Sequence, residues 1–227
     1  MLSYIELYDK DVIDKTFSSN KLLDLLLDDD IYVIDSKKIT LEKGEVIFNE
    51  NDVHDYIYVI ASGICGAWKN GHVTNFYGHQ EVIGMDDILS NERSFVTVSA
   101  LMEVEAWKFS KEQVMAKLMF TQEGVFFLYN NMKVANMDLL HKDAMHLEDT
   151  KERLLASLIK LGKRYGEVSS YEIKLPKVFT KKIIANHLNL NPGTMSILCK
   201  QLEVDGILEK SLRQILIINR KKGELYR

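Results

Sequence analysis

The apolar positions change their period twice along the chain. Over residues 1–30 they recur as on one face of a helix, with Leu22, Leu23, Leu25, Leu26 and Leu27 clustered among Lys and Asp, and the pattern predicts amphipathic helix. From Ile31 the chain breaks into short runs rich in Ile, Val and Tyr. Residues 39–41, 46–48, 56–60, 96–100 and 105–109 are strand candidates. Lys43-Gly44-Glu45, Glu50-Asn51-Asp52, Ser62-Gly63 and Lys69-Asn70-Gly71 supply turn chemistry between them. Turns spaced about ten residues apart predict an antiparallel roll or barrel.

After Ser110 the turn residues vanish. Ser110 is placed to cap a short helix over 111–118, with Glu112 and Gln113 in its first turn. Residues 121–147 read as one long helix in which Val125, Leu128, Met132, Ala135 and Leu139 recur at spacings of three and four. So narrow a stripe is coiled-coil-like and suits dimerisation; the competing reading is packing against its own domain. A further helix is expected over 150–164, capped by Asp149 or Thr150, and then a loop over 162–170. The expected organisation is a first domain over 1–120, the long helix over 121–147, and a second domain over 148–227.

The most informative stretch runs from Phe179 to Lys210. Thr180 precedes a helix over 181–188 with Ile184, Ala185 and Leu188 inward, and Asn189-Leu190-Asn191 is a turn. Asn191 as N-cap with Pro192 at the first helical position is the strongest helix start in the chain. That second helix extends over 192–202. Two short helices about a tight turn, with the small Ala185 at their contact, make a helix-turn-helix. Residues 207–210 and 214–218 then read as two strands around a basic turn at Arg213, a wing. The fold class expected is α+β: an N-terminal antiparallel β-roll, a long dimerisation helix and a C-terminal winged helix-turn-helix.

Charge sharpens this division. The chain carries a formal net charge of −4, yet residues 176–227 hold ten Lys or Arg and four acids, a net +6. The other 175 residues hold nineteen bases and twenty-nine acids, a net −10. A basic end on an acidic body suggests a localised contact with a polyanion. Two cysteines, Cys65 and Cys199, cannot build a disulfide framework and suit a reducing compartment. With no charged-then-apolar leader pattern and no apolar run long enough to span a bilayer, a cytoplasmic setting is expected. No HExxH, P-loop, GxSxG or metal-spaced Cys/His set occurs, so neither catalytic residues nor metal ligands are assigned and no enzyme is expected.

The sequence resembles the Crp–Fnr family of bacterial transcription regulators over nearly its whole length. The residues that carry the resemblance are Lys43-Gly44-Glu45-Val46-Ile47-Phe48, Glu50, Asp52, Asp55, Tyr58, Ser62-Gly63 and Ile83-Gly84 in the first half. In the second they are Thr180, Ile184-Ala185, Leu190, Thr194, Leu198, Lys200, Leu202, Glu203 and Gly206-Ile207. The resemblance implies a cyclic-nucleotide-binding-like sensor governing a dimer that binds a two-fold symmetric DNA operator. Activation through contact with RNA polymerase is the family's commoner mode. It places the helix over 192–202 in the major groove. Pro192, Gly193 and Ile197 then occupy the places where the family's Arg, Glu and Arg read bases, and none of the three can pair bidentately with guanine. Reading shifts to Thr194, Ser196, contact of Ile197 with thymine methyls, or DNA shape. Thr194 and Lys200 match phosphate-contacting positions, with Lys181 and Lys182 placed to join them. A sensor module without a DNA role is the alternative.

For the sensor, the resemblance invites a cyclic nucleotide, and the residues disfavour it. Gly84-Met85 stands where nucleotide-binding members carry Gly-Glu, and a thioether cannot hold a ribose hydroxyl. Arg93-Ser94 matches the phosphate-binding Arg, but Asp86, Asp87 and Glu92 around it would repel a phosphate. An Fe–S cluster needs four Cys ligands. Haem would have to rely on a lone His such as His54 or His79. The composition and the lost nucleotide residues are similar to the PrfA-type branch of Gram-positive regulators, where a small thiol peptide such as glutathione serves as effector. Cys65 is then either a redox-active thiol or a small buried hydrophobe, and the second is the commoner role for such a residue; Cys199 is expected in the helix-turn-helix core.

Overall fold

A computed structural model describes residues 5–86, 88–89, 92–209 and 217–219. The chain divides into two units, residues 1–69 with 75–140, and residues 141–227 with 70–74.

In the first unit the helical start is broken. Helices α1 (Lys10–Thr16) and α2 (Ser19–Leu26) flank Phe17-Ser18, after a 3-10 turn over Glu6–Tyr8. The amphipathic helix expected over 1–30 is thus present as two helices. The break combines a local and a distant contact: the Ser18 hydroxyl accepts from the Lys21 N–H and starts a new helix, and Phe17 is buried against Phe126 and Phe127.

Eight strands follow: β1 (Ser36–Leu41), β2 (Val46–Phe48), β3 (Tyr56–Ser62), β4 (Cys65–Lys69), β5 (His72–Tyr77), β6 (Val82–Ile83), β7 (Thr97–Ala100) and β8 (Val104–Ser110). They form two four-stranded sheets, ordered β1-β8-β3-β6 and β2-β7-β4-β5. At the β4–β5 turn Asn70 and Gly71 both have positive φ, +50° and +77°, the backbone a two-residue hairpin needs.

Strand β3 is buried on both faces. Ile57 and Val59 join a cluster with Leu22, Leu26, Val114, Leu118 and Phe127 from the helices. Tyr58 and Ile60 point the other way, into a second cluster with Cys65, Ala67, Val98 and Ala106 inside the roll. Helices α3 (Lys111–Phe120) and α4 (Gly124–Ala144) close the helical side. Lys117 of α3 is wholly buried; its Nζ donates to the carbonyls of Leu26 (3.4 Å) and Asp28 (2.5 Å) at the end of α2. A cation there satisfies carbonyls that the helix leaves open.

The long helix is α4, continued by a 3-10 turn over Met145–Leu147. Its inner face is anchored by Phe127 and by Asn130, whose amide donates to the Phe17 carbonyl at 3.0 Å. Of the five stripe residues expected to face a partner, Leu128 packs on its own core. Val125, Met132 and Leu139 are 60%, 64% and 65% exposed, and Ala135 is exposed. Tyr129 shares this outer face. Phe127 and Asn130 face inward with Leu128, so the exposed face carries Val125, Met132, Ala135 and Leu139 of the expected stripe, with Tyr129 beside them in place of Leu128.

In the second unit α5 (Thr150–Tyr165) starts at Asp149, whose carboxylate accepts from the N–H groups of Lys151 and Glu152. It packs on a sheet ordered β11-β12-β10-β9, built from β9 (Glu167–Val168), β10 (Glu172–Lys174), β11 (Leu208–Glu209) and β12 (Ile217–Asn219). Between the strands lie α6 (Lys181–His187) and α7 (Pro192–Val204). The loop expected over 162–170 is corrected: the helix runs on to Tyr165 and a strand begins at Glu167. Gly162 is a packing residue rather than a breaker, because a Cβ there would run into the Ile173 side chain of β10. Gly162→Val should therefore lower stability by about 1–3 kcal/mol through overpacking. Thermal unfolding followed by circular dichroism checks this, and an unchanged midpoint would show that the helix and sheet are not held at this distance.

Candidate nucleic-acid interface

The pair α6–α7 is assembled by its own side chains. Thr180 caps α6 by accepting from the Ile183 N–H at 3.2 Å, and Asn191 caps α7 by accepting from the Thr194 N–H at 2.8 Å. Between them Asn189 takes positive φ, +54°, and the Leu190 N–H returns to the Ala185 carbonyl at 2.8 Å. An Asn tolerates that backbone better than most residues with a side chain. Ile184, Ala185, Met195, Leu198, Cys199 and Leu202 are buried between and beneath the two helices. Packing those six positions of α6 and α7 inward leaves the opposite face of α7 exposed: Pro192, Gly193, Ser196, Ile197, Lys200, Gln201 and Val204.

Each residue expected to meet DNA has a definite setting. Thr194 is half-buried beside the cap. Ser196 is exposed, but its hydroxyl donates back to the Pro192 carbonyl at 2.9 Å. Ile197 is 62% exposed. Lys200 and Lys182 are exposed, and Lys181 stands 3.9 Å from Glu203, a long and open ion pair. Arg213 lies outside the described residues. Gln201 and Val204 share the exposed face and were not singled out from sequence, although their spacing of four and seven from Ile197 marks the same helical side. With Lys151, Ile197, Lys200 and Asp205 they line a shallow hollow of about 340 Å³.

Of the residues expected to hold a ligand, Met85 and Cys65 lie in different core clusters. Gly84 has φ +84°, and a Cβ on it would approach His54 Cε1 to 2.6 Å. The His54 ring is buried, stacked on Phe48 with centroids 4.0 Å apart. Met85 is buried in the helical-side cluster. Arg93 donates to the Asn51 carbonyl at 2.9 Å, and the buried Ser94 donates its hydroxyl to the Val96 carbonyl at 2.7 Å. Arg93 by its bond to Asn51, and Ser94 by its backbone N–H donating to the Asp52 carbonyl at 2.8 Å, brace the loop around residues 49–52. Cys65 lies on the other side of β3, inside the roll. His79 is exposed, its Nδ1 2.7 Å from the Ala61 carbonyl.

Residues 38–120 match the family model of the cyclic nucleotide-binding domain. The chain is 25% identical over 213 residues to electron transport regulator A of Shewanella oneidensis, covering 90% of this chain and 81% of that one. The structure of FixK2 from Bradyrhizobium japonicum superposes with a TM-score of 0.71 at 17% identity, covering 85% of this chain and 98% of that one. A protein of Eubacterium rectale assigned to the crp/fnr family of transcriptional regulators superposes with a TM-score of 0.65 at 16% identity, covering 91% and 93%. The chain has the Crp–Fnr fold. Among its described residues no helix is long and apolar enough to cross a membrane.

Within this Crp–Fnr fold, burial decides the chemistry of three titratable groups. The Cys65 thiol has no exposed surface, and desolvation pushes its pKa up to about 12. The Cys199 thiol is also raised, first by burial, with Lys181 acting against it. At neutral pH both are thiols rather than thiolates, and the thiolate is the reactive form. His187, at the end of α6, is lowered to about 4 by burial first and then by the Lys142 charge, so it is neutral at physiological pH. Cys65 consequently has the setting of a core residue, with no thiolate to attack the sulfur of a small-molecule disulfide. Native protein at pH 8 should react with iodoacetamide at neither cysteine on the timescale in which the unfolded chain reacts fully. Mass spectrometry of the two samples checks this, and rapid native labelling at Cys65 would restore it as a reactive thiol.

Proposed function

We propose that this protein is a sequence-specific DNA-binding transcription regulator that binds a two-fold symmetric operator as a dimer, under the control of its β-roll. The observation that carries the reading is the exposed face of α7, capped and held at a fixed angle by α6 through the Asn189–Leu190 turn. A helix so supported is the element that enters a major groove, with its N-terminal residues toward base edges. Lys181, Lys182 and Lys200 flank it as phosphate contacts, and Thr194 adds a hydroxyl near the helix start. Support for a dimer comes from the outer face of α4, where exposed apolar residues recur at heptad spacing. Transcription activation through RNA polymerase is the mode the family resemblance favours.

The deciding experiment is selection of bound fragments from a random duplex pool with the full chain, whose expected product is a palindromic site with half-sites about one helical turn apart. Recovery of no duplex, with and without the small-molecule fraction of a cell extract, would refute the reading. Lys200→Ala and Lys181→Ala should weaken binding to all duplexes alike. Each should flatten the plot of log affinity against log salt by roughly 2 for a dimer that loses one phosphate contact per subunit. A changed base preference with an unchanged slope would refute the phosphate assignment. The double variant Met132→Glu, Leu139→Glu should sediment as a monomer and bind DNA poorly, whereas a dimer would move the interface elsewhere.

A further inference from the structure

We propose that α7 reads its operator through thymine methyl groups, with Ile197 as the residue that meets them, and that guanine is not read by the first two turns of the helix. The inference rests on the DNA-binding reading above and specifies the kind of sequence bound.

The argument is one of elimination on a single helical face. In the first two turns of α7 the exposed side chains are Pro192, Gly193, Ser196 and Ile197. Pro192 and Gly193 bear no hydrogen-bonding side chain. Ser196 has already spent its only proton on the Pro192 carbonyl at 2.9 Å, so it cannot donate to the guanine O6 or N7 acceptors. Its lone pairs can only accept, from an adenine or cytosine amino group. Asn191, which precedes the first turn, is held at the cap by its Oδ1 accepting from the Thr194 N–H, leaving its Nδ2 as a donor outside those two turns. Thr194 is half-buried, and Met195, Leu198 and Cys199 are buried in the core of the unit. Lys200, the cation of this face, comes a turn later, toward the end of the helix that leaves the groove.

What remains with reach is Ile197, 62% exposed among residues that are small or turned inward. The major groove offers one apolar feature to such a side chain, the C5 methyl of thymine. Gly193, one turn earlier on the same side, presents no side chain to hold the helix away from the base edges, so the approach that contact needs is sterically open. Val204, 80% exposed and seven residues on, extends the same apolar line. The resulting half-site is expected to carry thymine at the positions under Ile197, with no obligatory guanine there.

The test uses the full chain and the duplex recovered by selection. Each thymine of a half-site is replaced in turn by deoxyuridine, which removes the methyl and keeps base pairing. The wild-type protein should lose about four-fold in affinity at one position, the equivalent of one buried methyl, and roughly fifteen-fold when both half-sites are changed. Ile197→Ala should bind the thymine and uracil duplexes equally, and its fold is protected by the exposure of the residue. Indifference of the wild type to uracil at every position overturns the proposal, and so does an alanine variant that keeps the discrimination. Failure to recover any duplex overturns the DNA-binding reading itself and this inference with it, an outcome distinct from a bound duplex read by other means.

Discussion

The structure of the first unit depends on one strand serving two cores. Alternate residues of β3 point to opposite sides, and here both sides are buried: Ile57 and Val59 toward the helices, Tyr58 and Ile60 into the roll. A slip of one residue would exchange the two sets and leave neither core filled. The pairing with β8 prevents it, with Ile57 opposite Phe109 and Val59 opposite Trp107. The helices are thereby attached to the roll through side chains of the same strand that shapes its interior. A volume change on either side of β3 is felt on the other, because close-packed interiors transmit strain.

α4 is subject to a comparable two-sided constraint that only one side of this chain satisfies. Phe127 and Asn130 hold its inner face, with Lys133 pairing Asp14 at 2.8 Å further along. The outer face carries Val125, Tyr129, Met132 and Leu139, all exposed. A helix whose two apolar stripes differ in this way has its rotation fixed by the first stripe, and so presents the second in a set direction. That is the physical basis for reading the outer stripe as a seam between two copies.

Where the sequence was legible, the signal was local and chemical. Turns needing positive φ were found at Asn70-Gly71, and helix starts at Thr180 and Asn191, with Asp149 one of two candidates for α5, because caps and turns depend on a few adjacent atoms. The helix-turn-helix followed from such signals alone. The misreadings share a different cause. Ser18 interrupts a helix whose apolar spacing continues undisturbed, and the break is driven by burial of Phe17 among residues a hundred positions away. Gly162 looked like a loop residue and is a site of close helix–sheet approach. Leu128 looked outward until Phe127 and Asn130 set the rotation of α4. Periodicity gives the presence of a face, and tertiary contacts decide which way it points. Of the residues considered for a ligand, Met85 is buried in the helical-side cluster and Cys65 in the cluster inside the roll, placements that only tertiary packing reveals.

The start of α7 shows how a structural solution can constrain a functional one. Asn191, Pro192 and Gly193 make a strong helix start: a capping side chain, a residue with its φ already set, and a position without a Cβ beside the cap. These are also the positions from which a recognition helix ordinarily projects its longest polar side chains. Residues chosen to begin the helix firmly cannot at the same time carry a guanidinium into the groove. Ser196 compounds this by bonding back to Pro192. On the DNA-binding reading proposed above, discrimination falls to Ile197, where the energy per contact is that of a methyl group rather than a bidentate pair. A helix that reads weakly must lean on its phosphate contacts for affinity, and the lysines flanking α7, on a segment of net +6 attached to an acidic body, are what such a division of labour requires.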